Sequence, residues 1–154
     1  PVQNLFHESG HMLDWLLDRN MYSSGPHHGT MFADTLNKDA QNLYNSTQAM
    51  LMADGKPSDR QHVLWELGQQ VRRGTAKTDR NIEDMLQAAL GDDYPKTVGH
   101  PNGYFQQQGS HQSSEAFAEM LAAQLANPAA WAIIENFMPE SAKMFNTMIR
   151  EATP

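Results

Sequence analysis

The sequence predicts a mainly α-helical domain, and three observations carry that expectation. Apolar residues recur at three- and four-residue spacing over most of the chain. Clusters of Gly, Pro, Ser and Asn interrupt these stretches where helices would end and loops begin. No stretch sustains the alternation of a strand-rich domain, so β-structure amounts at most to a short hairpin near residues 98–106.

Taken in order, Leu5, Met12, Leu13, Leu16 and Leu17 give a first helix over about residues 3–19. A breaker-rich loop with the adjacent pair His27-His28 follows, and that pair reads as an ordinary exposed loop. Leu36, Ala40, Leu43, Thr47 and Met50 make the stripe of a second helix over 32–53, with Gly55 just beyond its end. Ser58 or Asp59 caps a third helix whose inward face is Val63, Leu64, Leu67 and Val71. Thr78 or Asp79 caps a fourth, with Ile82, Met85, Leu86 and Ala89 inward and Gly91 as its stop. Residues 92–112 hold too many Pro and Gly for a long helix, and Pro101-Asn102-Gly103-Tyr104 has the chemistry of a tight turn. Ser113 or Ser114 caps a fifth helix, which Asn127-Pro128 ends. Two short helices, near 128–137 and 139–152, close the chain. The ten methionines sit at the spacing of helical core positions.

Composition narrows the function. A chain of 154 residues, 40% hydrophobic and 19% charged, buries a real core as one domain. The absence of cysteine excludes a disulfide framework and a thiolate metal site. A net charge of −7 argues against nucleic acid as a partner, and Arg72-Arg73 with Lys77 and Arg80 reads as a solvated helix end. No apolar run has the length of a membrane span, so no membrane partner is expected. The chain begins at Pro1 with its key motif a few residues on, which suggests a C-terminal fragment of a longer polypeptide.

That motif is His7-Glu8-Ser9-Gly10-His11. Residues four apart on a helix share a face, so both imidazoles can reach one small ion. Zinc accepts neutral imidazole nitrogen and favours few, tetrahedral ligands. Glu8 sits at the edge of that face, where its carboxylate serves as general base for metal-activated water. The competing reading is a helix with two surface histidines and a solvated glutamate. Leu5, Phe6, Met12 and Leu13 flank the motif and imply partial burial, and a mid-helix Gly10 marks close backbone approach. A third ligand must come from elsewhere, and Ser113-Ser114-Glu115-Ala116-Phe117-Ala118-Glu119 is the best source. Glu115 and Glu119 lie one turn apart on one stripe, so one carboxylate can bind zinc while the other hydrogen-bonds a ligating histidine. The alternative is two surface glutamates favoured by the helix dipole.

His7-Glu8-Ser9-Gly10-His11-Met12-Leu13-Asp14 with the later Glu115-Ala116-Phe117-Ala118-Glu119 resembles the gluzincin-type zincin metallopeptidases. The similarity is to the catalytic domain of anthrax lethal factor and to zincin-like domains of phage minor head proteins. The resemblance implies a zincin-like helical domain in which the HExxH helix packs on the third-ligand helix. It implies Zn2+ as cofactor, His7, His11 and Glu115 as ligands, and Glu119 and Asp14 as their supports. Glu8 is the catalytic base in this reading. The family's oxyanion-stabilising tyrosine falls near Gln108 here, which leaves Tyr104 or His111, and after them His100, as donors. The spacing between motifs exceeds that of lethal factor, making 31–91 a helical insertion within one domain over 1–154. Zincins also place a small sheet before this helix; here it would lie upstream, or the cleft is built differently.

The expected function is a zinc-dependent endopeptidase acting on a protein or peptide substrate. The alternative is a phage head-associated structural or interaction module with a non-catalytic metal site, and a third possibility is a helical binding module without metal. An upstream domain or phage head proteins are the further partners the resemblance implies, with the chain associated with a virion or delivered to a host cell.

Overall fold

The computed structural model describes residues 2–18, 29–74, 80–95, 100–106 and 111–152. It is built from α1 (Val2–Asp18), α2 (Gly29–Ala53), α3 (Arg60–Gly74), α4 (Arg80–Leu90), a 3-10 turn (Tyr104–Gln106), α5 (His111–Ala126), α6 (Pro128–Phe137) and α7 (Pro139–Ala152). No strand occurs among the described residues. Among them, too, no helix is long and apolar enough to cross a membrane.

Helix ends follow local chemistry. Gly55, at φ +68°, closes α2: its amide donates to Met52 O, and that of Lys56 reaches back to Leu51 O. Asp59 caps α3 by accepting from the amides of Gln61 and His62, while its other oxygen lies 2.6 Å from His62 Nδ1. Asn127 caps α6 through Ala130 N, with Pro128 at the first helical position. The α7 N-terminus is capped from a distance: buried Asp39 of α2 accepts from both Ser141 N and Ser141 Oγ at 2.8 Å. The expected caps Thr78 and Asp79, and the pair His27-His28, lie outside the described residues.

At the centre is α5. Every residue from Ser113 to Ala123 is buried, as α1, α2, α4, α6 and α7 all pack against this helix. Phe117 and Met120 meet a core that includes Phe32, Leu36, Leu64, Leu67, Met85, Ile134 and Phe145. Each such side chain contributes about 1.5–3 kcal/mol by leaving water, offset by the entropy of ordering the chain. Val63, Val71, Ile82 and Leu86 are buried as their spacing predicts, but Met50 turns partly outward and Leu51 takes the inner position.

Residues 98–99 of the expected hairpin span lie outside the described residues. Residues 100–106 form the expected turn, followed by the 3-10 segment, with Gly103 at φ +83° and Tyr104 N donating to Pro101 O. Side chains of neighbouring elements hold this turn. Three expectations change. Arg72 is no mere solvated helix end, since its guanidinium binds buried Glu83 and Pro95 O. Met12, Met31 and Met52 lie at the surface at 60%, 60% and 64% exposure, outside the core their spacing suggested. On α1, Leu13 packs on the core, but Leu5, Met12 and Leu16 are exposed at 64%, 60% and 55%. They lie nearly whole turns apart, on the side opposite Gly10 and Asp14, and it is that small and polar side that α1 turns toward α5.

Candidate metal centre

The site begins with a close helix crossing. A Cβ built on Gly10 would lie 2.6 Å from Ala118 Cα, so only glycine allows α1 and α5 to approach this closely. The glycine thus marks backbone contact, as its mid-helix position suggested. At this separation short polar side chains bridge the helices directly.

His7 and His11, one turn apart on α1, point their Nε2 atoms together at 3.1 Å. Glu115 of α5 reaches the same point, with Oε2 3.6 Å from His7 Nε2 and Oε1 3.7 Å from His11 Nε2. These three residues each place a ligand atom within 4.8 Å of the others. Four donors around a tetrahedral zinc at 2.0–2.1 Å would lie about 3.3–3.4 Å apart, so the observed spacing suits such an ion.

The far sides of the rings are held as well. His7 Nδ1 lies 3.1 Å from Glu119 Oε1, and His11 Nδ1 lies 3.0 Å from Ser114 Oγ. His11 is thus held by a hydrogen bond at Nδ1, while His7 Nδ1 faces the Glu119 carboxylate at ion-pair distance without a hydrogen bond, and both rings present Nε2, as a ligating imidazole requires. Glu115 Oε2 is buried and accepts no hydrogen bond among the described residues, an arrangement that an ion would relieve.

Charge divides the two imidazoles. The Glu119 carboxylate raises the pKa of His7 against the opposing effect of burial. Burial lowers that of His11, and a charge on His7 pushes the same way. Without an ion the two Nε2 atoms can satisfy one another through a single proton, which an ion would replace.

The turn at 100–106 completes the centre. Tyr104 donates its hydroxyl to Glu115 Oε1 at 2.9 Å. The His100 ring stacks on Tyr104 with centroids 3.8 Å apart, and its Nε2 lies 3.4 Å from Glu115 Oε2. Asp92 and Gln87 fasten this turn from behind. Gly103 N donates to Asp92 Oδ2 at 2.6 Å, and Gln87 Nε2 donates to both His100 O and Asp92 Oδ1 at 3.1 Å.

A cleft of 280 Å3 opens beside the histidines. Gln3, Asn4, His7 and Glu8 of α1 form one wall, Asp84 of α4 and His100 the other, and Glu119 completes the lining. Glu8 is exposed at this cleft. Asp14 is buried on the α5-facing side of α1, one turn past Gly10. His111 opens α5, but its side chain lies outside the described part.

Of the residues singled out in the sequence, His7, His11, Glu115, Glu119 and Tyr104 are thus drawn together, with Glu8 at the adjoining cleft. Ser114, Asp84, Gln87 and Asp92 carried no sequence signal for the site. Ser114 reads as a helix cap, but α5 starts earlier, at His111, and the Ser114 hydroxyl meets His11. Comparison with family models, with curated proteins and with solved structures finds no match.

Proposed function

We propose that this chain is a zinc-dependent peptidase that hydrolyses peptide bonds within protein or peptide substrates. The observation that carries the reading is the convergence of two imidazole Nε2 atoms and one buried carboxylate on a single point beside a polar cleft. The resemblance of both motifs to zincin peptidases points the same way.

His7, His11 and Glu115 would hold the ion, and three protein ligands leave a position open, as in catalytic zinc sites. Zinc bound there would supply Lewis acidity, lowering the pKa of water and polarising the scissile carbonyl. Glu8 accepts the proton of the attacking water and returns it to the leaving amine, a role that suits an exposed carboxylate at the cleft. Glu119 and Ser114 fix the two rings. Tyr104 uses its hydroxyl on Glu115, so it orients the ligand, and His100 in the cleft wall is the better placed donor to a developing oxyanion.

A second reading has one observation in its favour. His100 Nε2 already touches Glu115, and as a fourth protein ligand it would close the site into a structural one.

The test is elemental analysis of untagged protein equilibrated with zinc, followed by hydrolysis of a mixed peptide library. One zinc per chain is expected, lost in His7→Ala, His11→Ala and Glu115→Gln. Glu8→Gln should keep the zinc and lose about 10²–10⁴-fold in rate. A chain that binds no zinc at these residues overturns the metal reading. One that binds it but cleaves nothing, with His100 among the ligands in a metal-soaked crystal, is structural.

A further inference from the structure

We infer that Asp92 is a positioning residue for the metal centre, holding the 100–106 turn so that the Tyr104 hydroxyl takes one oxygen of Glu115 and leaves the other to the ion. This rests on the zinc-peptidase reading and adds to it the device that sets the third ligand.

The corner that carries Asp92 is built to stay still. Gly91 leaves α4 at φ +107°, and Tyr94 N donates back to Gly91 O at 3.1 Å as the Tyr94 side chain is buried. Two arginines of α3 grip the corner at its ends. Arg60 binds Asp93 and Leu90 O at the start, and Arg72 binds Pro95 O and buried Glu83 at the finish. Asp92 stands between these two anchors.

Both of its oxygens are turned to the 100–106 turn or its holder. Oδ2 accepts from Gly103 N at 2.6 Å, a charge-assisted bond, and Oδ1 accepts from Gln87 Nε2 at 3.1 Å. The same Gln87 amide donates to His100 O at 3.1 Å, so the turn is fastened at residues 100 and 103. The rings that follow are fixed in consequence. His100 and Tyr104 stack at 3.8 Å and 6° between planes, and Phe105 meets each of them edge-on. Tyr104 then donates to Glu115 Oε1 at 2.9 Å. Oε2 is the oxygen that is buried and accepts no hydrogen bond among the described residues. A carboxylate with one oxygen occupied by a hydroxyl offers the other to a metal, so the turn decides which atom Glu115 presents.

The test measures metal binding directly. Zinc affinity is read by competition with a chelating dye. Cobalt(II), a stand-in for zinc, absorbs visible light with an intensity that falls as its coordination number rises. Asp92→Ala should weaken zinc binding by about tenfold or more and alter the cobalt spectrum. Asp92→Asn, which keeps one acceptor oxygen, should recover part of both. Gln87→Met, similar in size but without the amide donors, should move both in the direction of Asp92→Ala. Asp39→Ala, which unpairs Ser141 away from the centre, should lower stability and leave affinity and spectrum unchanged. In the Tyr104→Phe background Asp92→Ala should cost little more than Tyr104→Phe alone, because its effect runs through that hydroxyl.

Parent-like affinity and spectrum in folded Asp92→Ala overturn the inference, as do losses from Asp92→Ala and Tyr104→Phe that multiply in full. Should Asp92→Ala fail to fold, Asp92→Asn and Gln87→Met carry the same comparison. A parent chain that binds neither zinc nor cobalt removes the metal reading and the inference with it, a failure seen before any variant is made.

Discussion

At residue scale the centre depends on how each imidazole is turned, and the ligands themselves are only half of it. His7 leans on Glu119, and His11 on Ser114, through Nδ1. Removing either support leaves the ligand in place but frees its ring. Glu119→Gln and Ser114→Ala should therefore weaken zinc affinity by about 10–100-fold, read by competition with a chelating dye, while the stoichiometry stays at one. Gly10 acts through space and not through chemistry. Gly10→Ala puts a methyl group against Ala118 Cα and should destabilise the fold by about 1–3 kcal/mol, read from urea unfolding. The same change should lower zinc affinity, since it pushes His7 and His11 away from Glu115. His7-Glu8-Ser9-Gly10-His11 was legible as a motif because its spacing is a local property of one helix. Ser114 was not, because a serine near a helix start has the same sequence appearance whether it caps or meets an imidazole.

Individual elements show the same division. The α3 cap was readable from Asp59 and the end of α5 from Asn127-Pro128, as each is fixed within a few residues; that Asn127 also caps α6 is equally local but was not read. The α7 cap was not, because its acceptor Asp39 lies a hundred residues upstream. Asp39→Ala leaves two buried donors at Ser141 unpaired and should cost about 1–3 kcal/mol in chemical denaturation. A second tie joins α3 to the end of α4, where Arg60 binds Asp93 and Leu90 O. Arg60 holds the Asp93 carboxyl below the usual carboxylate range. A depressed carboxylate contributes stability above its unfolded value of about 3.9 and loses it as pH falls through the folded value. Both partners are about half exposed, so the contribution is under about 1 kcal/mol. Thermal unfolding between pH 6 and pH 2.5 should accordingly show a slightly shallower acid decline in Asp93→Asn than in the parent.

The molecule as a whole arranges its helices around α5, and that choice decides what α1 shows to the outside. With its small and polar side against α5, α1 leaves Leu5, Met12 and Leu16 exposed, the reverse of what apolar periodicity leads one to expect. Burying Glu115 and Glu119 at the centre is tolerable because histidines meet them, and an ion would bring the opposite charge that a buried carboxylate needs. Zinc at a hundred times its dissociation constant should raise global stability by about 2.7 kcal/mol, seen as a higher melting temperature that a chelator reverses. His11→Ala should abolish that increment.

The amino-acid order by itself determined the helices, most of their ends, and the inward stripes of α2, α3 and α4. It also marked one helix as a metal-binding candidate. These are properties of neighbours along the chain, fixed by hydrogen bonds and periodicity over a few residues. Only the tertiary structure decided that Glu115 meets His7 and His11, that Tyr104 and His100 close over them, and that Asp84 lines the cleft. Those outcomes depend on which helix faces pack, and packing is settled by the total fit of the core around α5, which no single segment encodes.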